Sequence, residues 1–152
     1  MIIDLIKKYS CDPLRLVGMP GVILYMNPET YLFYRHCPQS LVDVRGLRFD
    51  GLLFSSLNRF FLNLKTPRRS FDFTSIADAV FSYYVRVEGK VAIYGASNVD
   101  LSCFIKVLKE RYPDLNIIDH ASGYGFEPDE HCFPELDFIL VGMGGLLQDK
   151  VA

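Results

Sequence analysis

No two of the chain's four cysteines, at 11, 37, 103 and 132, stand in C-x-x-C spacing. That argues against a redox dithiol or a structural zinc knuckle and fits a reduced, cytoplasmic protein. The opening MIIDLIKKYS lacks an apolar signal core and a small-residue cleavage site, so no secretory leader is expected. The apolar runs GVILYM, VAIYG and DFILVGMGG fall far below the roughly 20 residues that span a bilayer. Charge of one sign is lacking too: 16 Lys and Arg face 18 Asp and Glu, a net charge of −2, which removes the electrostatic argument for nucleic acid as a partner. There is no G-x-x-x-x-G-K-[ST] loop, no G-x-S-x-G elbow and no D-x-D stretch of the kind that holds a divalent metal on a diphosphate. Internal repeats and low-complexity segments are absent as well.

What is present suffices for one compact domain: 152 residues, half of them hydrophobic. From Phe73 onward helix and strand signals alternate, which predicts parallel β-α-β units. Ile76, Ala79, Val80, Tyr83 and Val87 recur at the spacing of one helix face, with Thr74 or Ser75 as N-cap and Gly89 as the stop. KVAIYG reads as a strand buried on both faces. Ser97 then caps a second helix with Asp100 three residues on. Leu101, Phe104, Ile105, Leu108 and Tyr112 line its inner face until Pro113 ends it. LNIID and DFILVG are further strands, and the loop between them leaves room only for a stunted helix. In the first seventy residues GVILYMNPE and SLVDVRG read as strands, YLFYRHC as a short helix and LKTPRRS as a basic loop. The fold class expected is α/β, a Rossmann-like open parallel sheet flanked by helices, with residues 1–152 forming a single domain.

Four glycine-bearing turns, FDGLL, YGASN, SGYGF and VGMGG, fall at strand ends or just after them. In an open parallel sheet ligands bind at the carboxyl edge, where strand ends, loops and helix N-termini converge. One such turn serves equally well as a tight corner; four in one chain favour a ligand rim. Gly142-Met143-Gly144 carries the first half of a dinucleotide fingerprint, but Leu147 stands where the third glycine belongs. Asp50, in FDG, is a carboxylate placed to take a proton from a sugar hydroxyl as general base; the same pair is also an ordinary D-G turn. Asn27, before Pro28, reads as a helix cap as readily as a ligand contact. His36-Cys37 and His131-Cys132 are backbone neighbours, which rarely face one metal, and His120 stands apart, so no metal site is expected. Arg68 and Arg69 offer charge to a diphosphate, although an exposed basic loop is the commoner explanation.

The order of these pieces resembles the WecG/TagA/CpsF family of bacterial glycosyltransferases. LYMNPE is similar to that family's T-L-N-P-E segment, FDG to its D-G turn, and RRSFDFTSIADAV to the place of R-x-T-G-x-D-L. VAIYGA and KERYPDLNII follow, SGYGF resembles G-Y-F, and DFILVGMGGLLQDK resembles D-I-L-x-V-G-L-G-x-P-K-Q-E-K. The resemblance covers about 85% of the chain. It implies transfer of an N-acetylmannosamine-type sugar from a UDP-sugar donor to a polyprenyl-diphosphate-linked saccharide acceptor in surface-polysaccharide assembly. The reaction it implies inverts the sugar and uses no metal or other cofactor. On the matching positions Asp50 is the catalytic base, and Asn27, Gly51, Gly95, Tyr124, Gly142, Gly144 and Gln148 bind substrate. A cytoplasmic location, with peripheral contact at the inner face of the membrane, also follows.

The chain departs from the pattern at named positions. Tyr25 replaces a small hydroxyl residue, Phe71 to Thr74 blur the T-G-x-D turn, and Leu146-Leu147 replace Pro-Lys. The sequence given ends just after Gln148-Asp149, without the family's C-terminal appendage. An apolar edge left there makes a homo-oligomer plausible. The alternative reading is a non-catalytic paralogue that keeps the fold as a binding or assembly module, and a third is an unrelated nucleotide-binding α/β protein.

Overall fold

Alternation in VILYM decides the first strand, because Leu24 and Met26 fall on one side of the pleat and Tyr25 on the other. In the computed structural model, which describes residues 2–10, 12–36, 44–63, 70–127 and 135–143, this segment is β1 (Val22–Met26). It pairs in parallel with β2 (Val44–Phe49), setting Leu24 beside Leu47 and Met26 beside Phe49. These four side chains join Ile6, Tyr34 and Val44 in a buried cluster. Ile6 comes from α1 (Ile2–Tyr9) and Tyr34 from α2 (Pro28–His36). Each fully buried aliphatic or aromatic side chain there contributes at most about 1.5–3 kcal/mol. A short 3-10 turn, Pro13–Leu16, is capped by the Asp12 carboxylate, and α3 (Leu52–Leu62) leaves β2 through a glycine turn. This is the first of two compact units, Met1–Asp78 and Ala79–Ala152.

The second unit holds three parallel strands in the order β4-β3-β5, with β3 (Val91–Gly95) in the middle, β4 (Ile117–Ala121) and β5 (Phe138–Gly142). All five residues of β3 are buried, as its unbroken apolar text predicts for a central parallel strand. β4 shows the half-buried alternation of an edge. Helix α4 (Ala77–Arg86), which opens at the boundary between the units, stacks Tyr84 on Phe138 of β5 with ring centroids 4.9 Å apart. Helix α5 (Asn98–Arg111) buries Leu101, Ile105 and Leu108, with Phe104 partly buried and Tyr112 at its end, the face expected from spacing. Ser97 caps it as expected: its Oγ accepts from the Asp100 N–H and donates to the Asp100 carboxylate. Every described strand pairing is parallel, so the α/β class and the parallel sheet architecture hold.

Several local expectations shift. The buried face of α4 is Ile76, Ala77, Val80, Phe81 and Tyr84; Ala79 and Val87 are exposed and Tyr83 is half-buried. The apolar spacing admitted two overlapping stripes, and the larger aromatic one took the interior. Asp72, rather than Thr74 or Ser75, organises the entry to α4: its carboxylate accepts from the Thr74 N–H and hydroxyl and from Ser70, and its carbonyl accepts from Ser75 and Ala77. At the other end Glu88, not Gly89, takes the left-handed conformation (φ 54°), while Gly89 N–H reaches back to the Tyr84 carbonyl. A left-handed non-glycine residue is strained. Glu88→Gly is therefore expected to raise stability by about 1 kcal/mol, read as a higher urea midpoint at unchanged slope.

The strand expected from LNIID begins two residues later, at Ile117. That expected from SLVDVRG is described only from Val44 on, and α2 begins at Pro28 rather than within YLFYRHC. Helices α1 and α3 had no counterpart in the sequence reading. LLFSSLNRFFL is apolar on more than one side, so periodicity gives it no clear face. The loop after β4 has no helix over 122–127, and residues 128–134 lie outside the described set.

Candidate functional site

Parallel pairing brings the ends of β1 and β2 to one edge. Met26 faces Phe49 in the ladder, so the next residues, Asn27 and Asp50, occupy matching positions at the carboxyl edge, and the Asp50 N–H donates to the Met26 carbonyl at 2.8 Å. Asp50 is exposed, and its Oδ1 accepts from the Gly51 N–H at 2.7 Å. Gly51 adopts φ +79°, a conformation that favours glycine, and α3 starts at the following residue. The D-G pair thus makes the turn its composition predicts, and that turn sets a solvated carboxylate at the strand end.

Asn27 serves as the helix cap that its place before Pro28 predicts. Its Oδ1 accepts from the Thr30 N–H at 2.9 Å while the Thr30 hydroxyl accepts from the Asn27 N–H at 2.9 Å, a reciprocal arrangement closed over a fully buried Thr30. Pro28 follows at the first helical position, where a missing N–H costs nothing. Asn27→Ala is expected to lower stability by about 1–2 kcal/mol, and Asn27→Asp, which keeps the capping oxygen, to restore most of it. Thermal unfolding of both variants separates the cap from any role in binding.

Sequence reasoning passed over Arg48. It sits opposite Tyr25 in the ladder, on the face away from the apolar cluster, and only 6% of it is exposed. The signal lay in the period of two: Arg48 shares its side of β2 with Gly46, opposite Leu47 and Phe49. Among the described residues the buried Tyr25 hydroxyl has no hydrogen-bond partner. Burial is the main reason its ionisation is pushed well above the usual tyrosine range. The Arg48 guanidinium opposes that shift, and Asp50, Asp12 and Asp72 add to it. Tyr25 and Arg48 therefore share an electrostatic neighbourhood with the exposed carboxylate of Asp50.

The second unit has its own carboxyl edge. Gly95 ends β3 with φ +144° and packs so closely on β5 that an added Cβ would stand 2.4 Å from the Gly142 carbonyl oxygen. Ala96 follows in the left-handed region (φ 57°). Its N–H donates to the Gly142 carbonyl at 3.2 Å, and its own carbonyl accepts from the Gly123 N–H and the Ser122 hydroxyl, both at 3.0 Å. The ends of β3, β4 and β5 are thereby tied into one rim. Ser122 also accepts from the Tyr124 N–H, so the Tyr124 ring is presented on a braced turn with 81% of it in solvent. Strained backbone of this kind collects where ligands are gripped. Beneath the rim Tyr94, fully buried, donates to the Asp119 carboxylate at 2.6 Å. Burial, and then that acceptor, keep its hydroxyl from ionising in the usual range.

The structure thus places Asn27, Asp50 and Gly51 together on one sheet edge, and Gly95, Tyr124 and Gly142 together on the other. Gly144, Gln148, Arg68, Arg69, His131, Cys37 and Cys132 lie outside the described residues. His36 and His120 are exposed, and among the described residues no three His, Cys, Asp or Glu side chains gather closely enough to hold a metal ion. A shallow groove lined by Ser102, Ile105, Lys106, Lys109 and Glu110 of α5 and His120 of β4 includes none of the candidate substrate-binding residues. Among the described residues no helix is long and apolar enough to cross a membrane.

Among curated proteins, a UDP-Gal:alpha-D-GlcNAc-diphosphoundecaprenol beta-1,4-galactosyltransferase of Shigella boydii is 26% identical to this chain over 138 residues, covering 87% of the chain and 58% of the relative. The chain therefore spans under two thirds of that relative's length. No protein-family model matches the chain, and no solved structure matches it.

Proposed function

We propose that this chain is the catalytic part of a glycosyltransferase that moves a sugar from a UDP-sugar to a saccharide carried on a polyprenyl diphosphate. The observation that supports this most is the exposed Asp50 at a parallel-strand end, in a chain similar over most of its length to a protein named for such a transfer. In this reading the Asp50 carboxylate takes the proton of the acceptor hydroxyl as that oxygen attacks the anomeric carbon. The carbon–oxygen bond to the donor diphosphate breaks, and UDP leaves with the bonding electrons. One displacement inverts the anomeric centre. Charge on the departing diphosphate is met by loop amides of the glycine rim and by helix N-termini rather than by a metal. Tyr124 and the turns at Gly95 and Gly142 are assigned to the donor, together with Gly144 and Gln148; Asn27 and Gly51 shape the edge that carries the base.

Two donors are in play. The relative's name gives UDP-galactose, and the resemblance of the motifs gives a UDP-N-acetylmannosamine-type sugar. Incubating the protein with each donor and a GlcNAc-diphosphate lipid, with and without EDTA, is expected to give equal amounts of UDP and glycosylated lipid from one donor, unaffected by the chelator. UDP binding without turnover by any donor would instead favour the non-catalytic module, and no binding of UDP at all would overturn both readings.

A further inference from the structure

A buried O–H needs an acceptor for its proton, and few such groups are left without one inside a protein. The Tyr25 hydroxyl is buried and, among the described residues, meets no hydrogen-bond partner. Tyr25 is the last residue but one of β1 and lies opposite Arg48 of β2. An arginine can only donate, so Arg48 does not supply the acceptor. After burial and Arg48, the groups that bear most on the hydroxyl's ionisation are the carboxylates of Asp50, Asp12 and Asp72, in that order. Two of these are committed elsewhere. Asp12 caps the 3-10 turn through the Leu14 N–H, and the two oxygens of Asp72 take bonds from Ser70 and Thr74. Asp50 accepts from the Gly51 N–H through Oδ1, and its Oδ2 takes no hydrogen bond among the described residues.

The sheet brings the two groups within reach. The ladder runs one step past β2, where the Asp50 N–H donates to the Met26 carbonyl, so the alternation of the pleat sets Asp50 on the side of Arg48 and Tyr25. Tyr25 and Asp50 are therefore diagonal neighbours across paired strands, about 8 Å apart at Cα, a gap that an aromatic side chain spans. We infer that Tyr25 is a positioning residue for the proposed base: with the acceptor sugar seated, its hydroxyl donates to Oδ2 of Asp50 while the Gly51 N–H holds Oδ1. This rests on the glycosyltransferase reading. Asp50 is exposed, and an exposed side chain changes rotamer readily. With one bond on each oxygen the carboxylate no longer turns, and its remaining lone pairs aim at one place for the acceptor hydroxyl. The proton transfer itself is unchanged: the carboxylate takes the acceptor's proton and the tyrosine keeps its own. Tyr25 acts through Asp50 and touches no reacting atom.

The test makes Tyr25→Phe, which removes only the hydroxyl, in the wild-type and Asp50→Asn backgrounds. Each protein is assayed for steady-state transfer from the productive donor to the GlcNAc-diphosphate lipid and for its thermal midpoint. Tyr25→Phe is expected to lower kcat about tenfold, to leave the acceptor KM within about twofold and not to lower the midpoint. In Asp50→Asn an NH2 group that cannot accept stands in place of Oδ2, so there the same change is expected to cost less than about twofold. A Tyr25→Phe enzyme as fast as wild type, or about tenfold slower in both backgrounds, would overturn the inference and leave the transfer reading standing. So would a raised acceptor KM at constant kcat, which would put the hydroxyl on the sugar, or a loss of activity matched by a lower midpoint, which would mark a packing role. A wild type that transfers no sugar from any donor would overturn the inference together with the reading beneath it.

Discussion

Asp50→Asn is expected to reduce sugar transfer by about 10²–10⁴-fold while leaving the unfolding midpoint within about 0.5 kcal/mol of wild type. The two halves of this expectation have separate causes. The Asp50 side chain is exposed and its Oδ1 accepts from the amide of its neighbour Gly51, and an asparagine oxygen accepts that bond equally well. What asparagine lacks is the capacity to take up a proton at neutral pH. Steady-state rates on the productive donor, beside a thermal melt, check both. A variant that keeps more than about a tenth of the activity would remove Asp50 as the base and leave it as a turn residue.

The largest stability effect is expected at Gly95. A side chain there meets the Gly142 backbone at 2.4 Å and must also adopt φ +144°, a region closed to residues with a Cβ. Neither strand can retreat, because β3 is the central strand and pairs with β5 along its whole length. Gly95→Ala is therefore expected to cost about 3 kcal/mol or more. Gly51→Ala makes the comparison sharp: its φ is also positive, but an added Cβ meets nothing within 4 Å, so strain alone should cost about 1 kcal/mol. Urea unfolding of the two variants measures the difference. Similar losses would mean that the β3–β5 approach is looser than described.

Both predictions rest on features that were unequally visible in the amino-acid text. The α5 helix was legible in full, since Ser97 and Asp100 mark its start, Pro113 its end, and Leu101, Ile105 and Leu108 its inner face. Each is a local signal, set by neighbours three or four residues away. The face of α4 was misjudged because Val80 belongs to two apolar stripes, and only packing of Phe81 and Tyr84 against Phe138 chooses between them. Gly89 drew attention as the stop although Glu88 took the left-handed residue's place. Helix α3 has no legible face because its apolar residues include Leu57, Phe60 and Phe61, which remain in solvent.

At the candidate site the division is similar. The text marked Asp50, Asn27 and the glycine turns as punctuation at strand ends, which is a matter of residue type and of where hydrophobic runs stop. The period of two gave Arg48 its side of β2, but that Arg48 lies beside Tyr25 depends on the register between β2 and β1.

The sequence by itself determined that this is a parallel α/β protein with glycine turns at its strand ends, because buried parallel strands, helix caps and breakers are written in local composition and period. Only the tertiary structure decided that Gly95 lies against Gly142, that Ser122 and Gly123 close on Ala96, and that Asn27 and Asp50 end paired strands. Those are long-range pairings, fixed when distant segments settle into register, and no short window of sequence contains both partners.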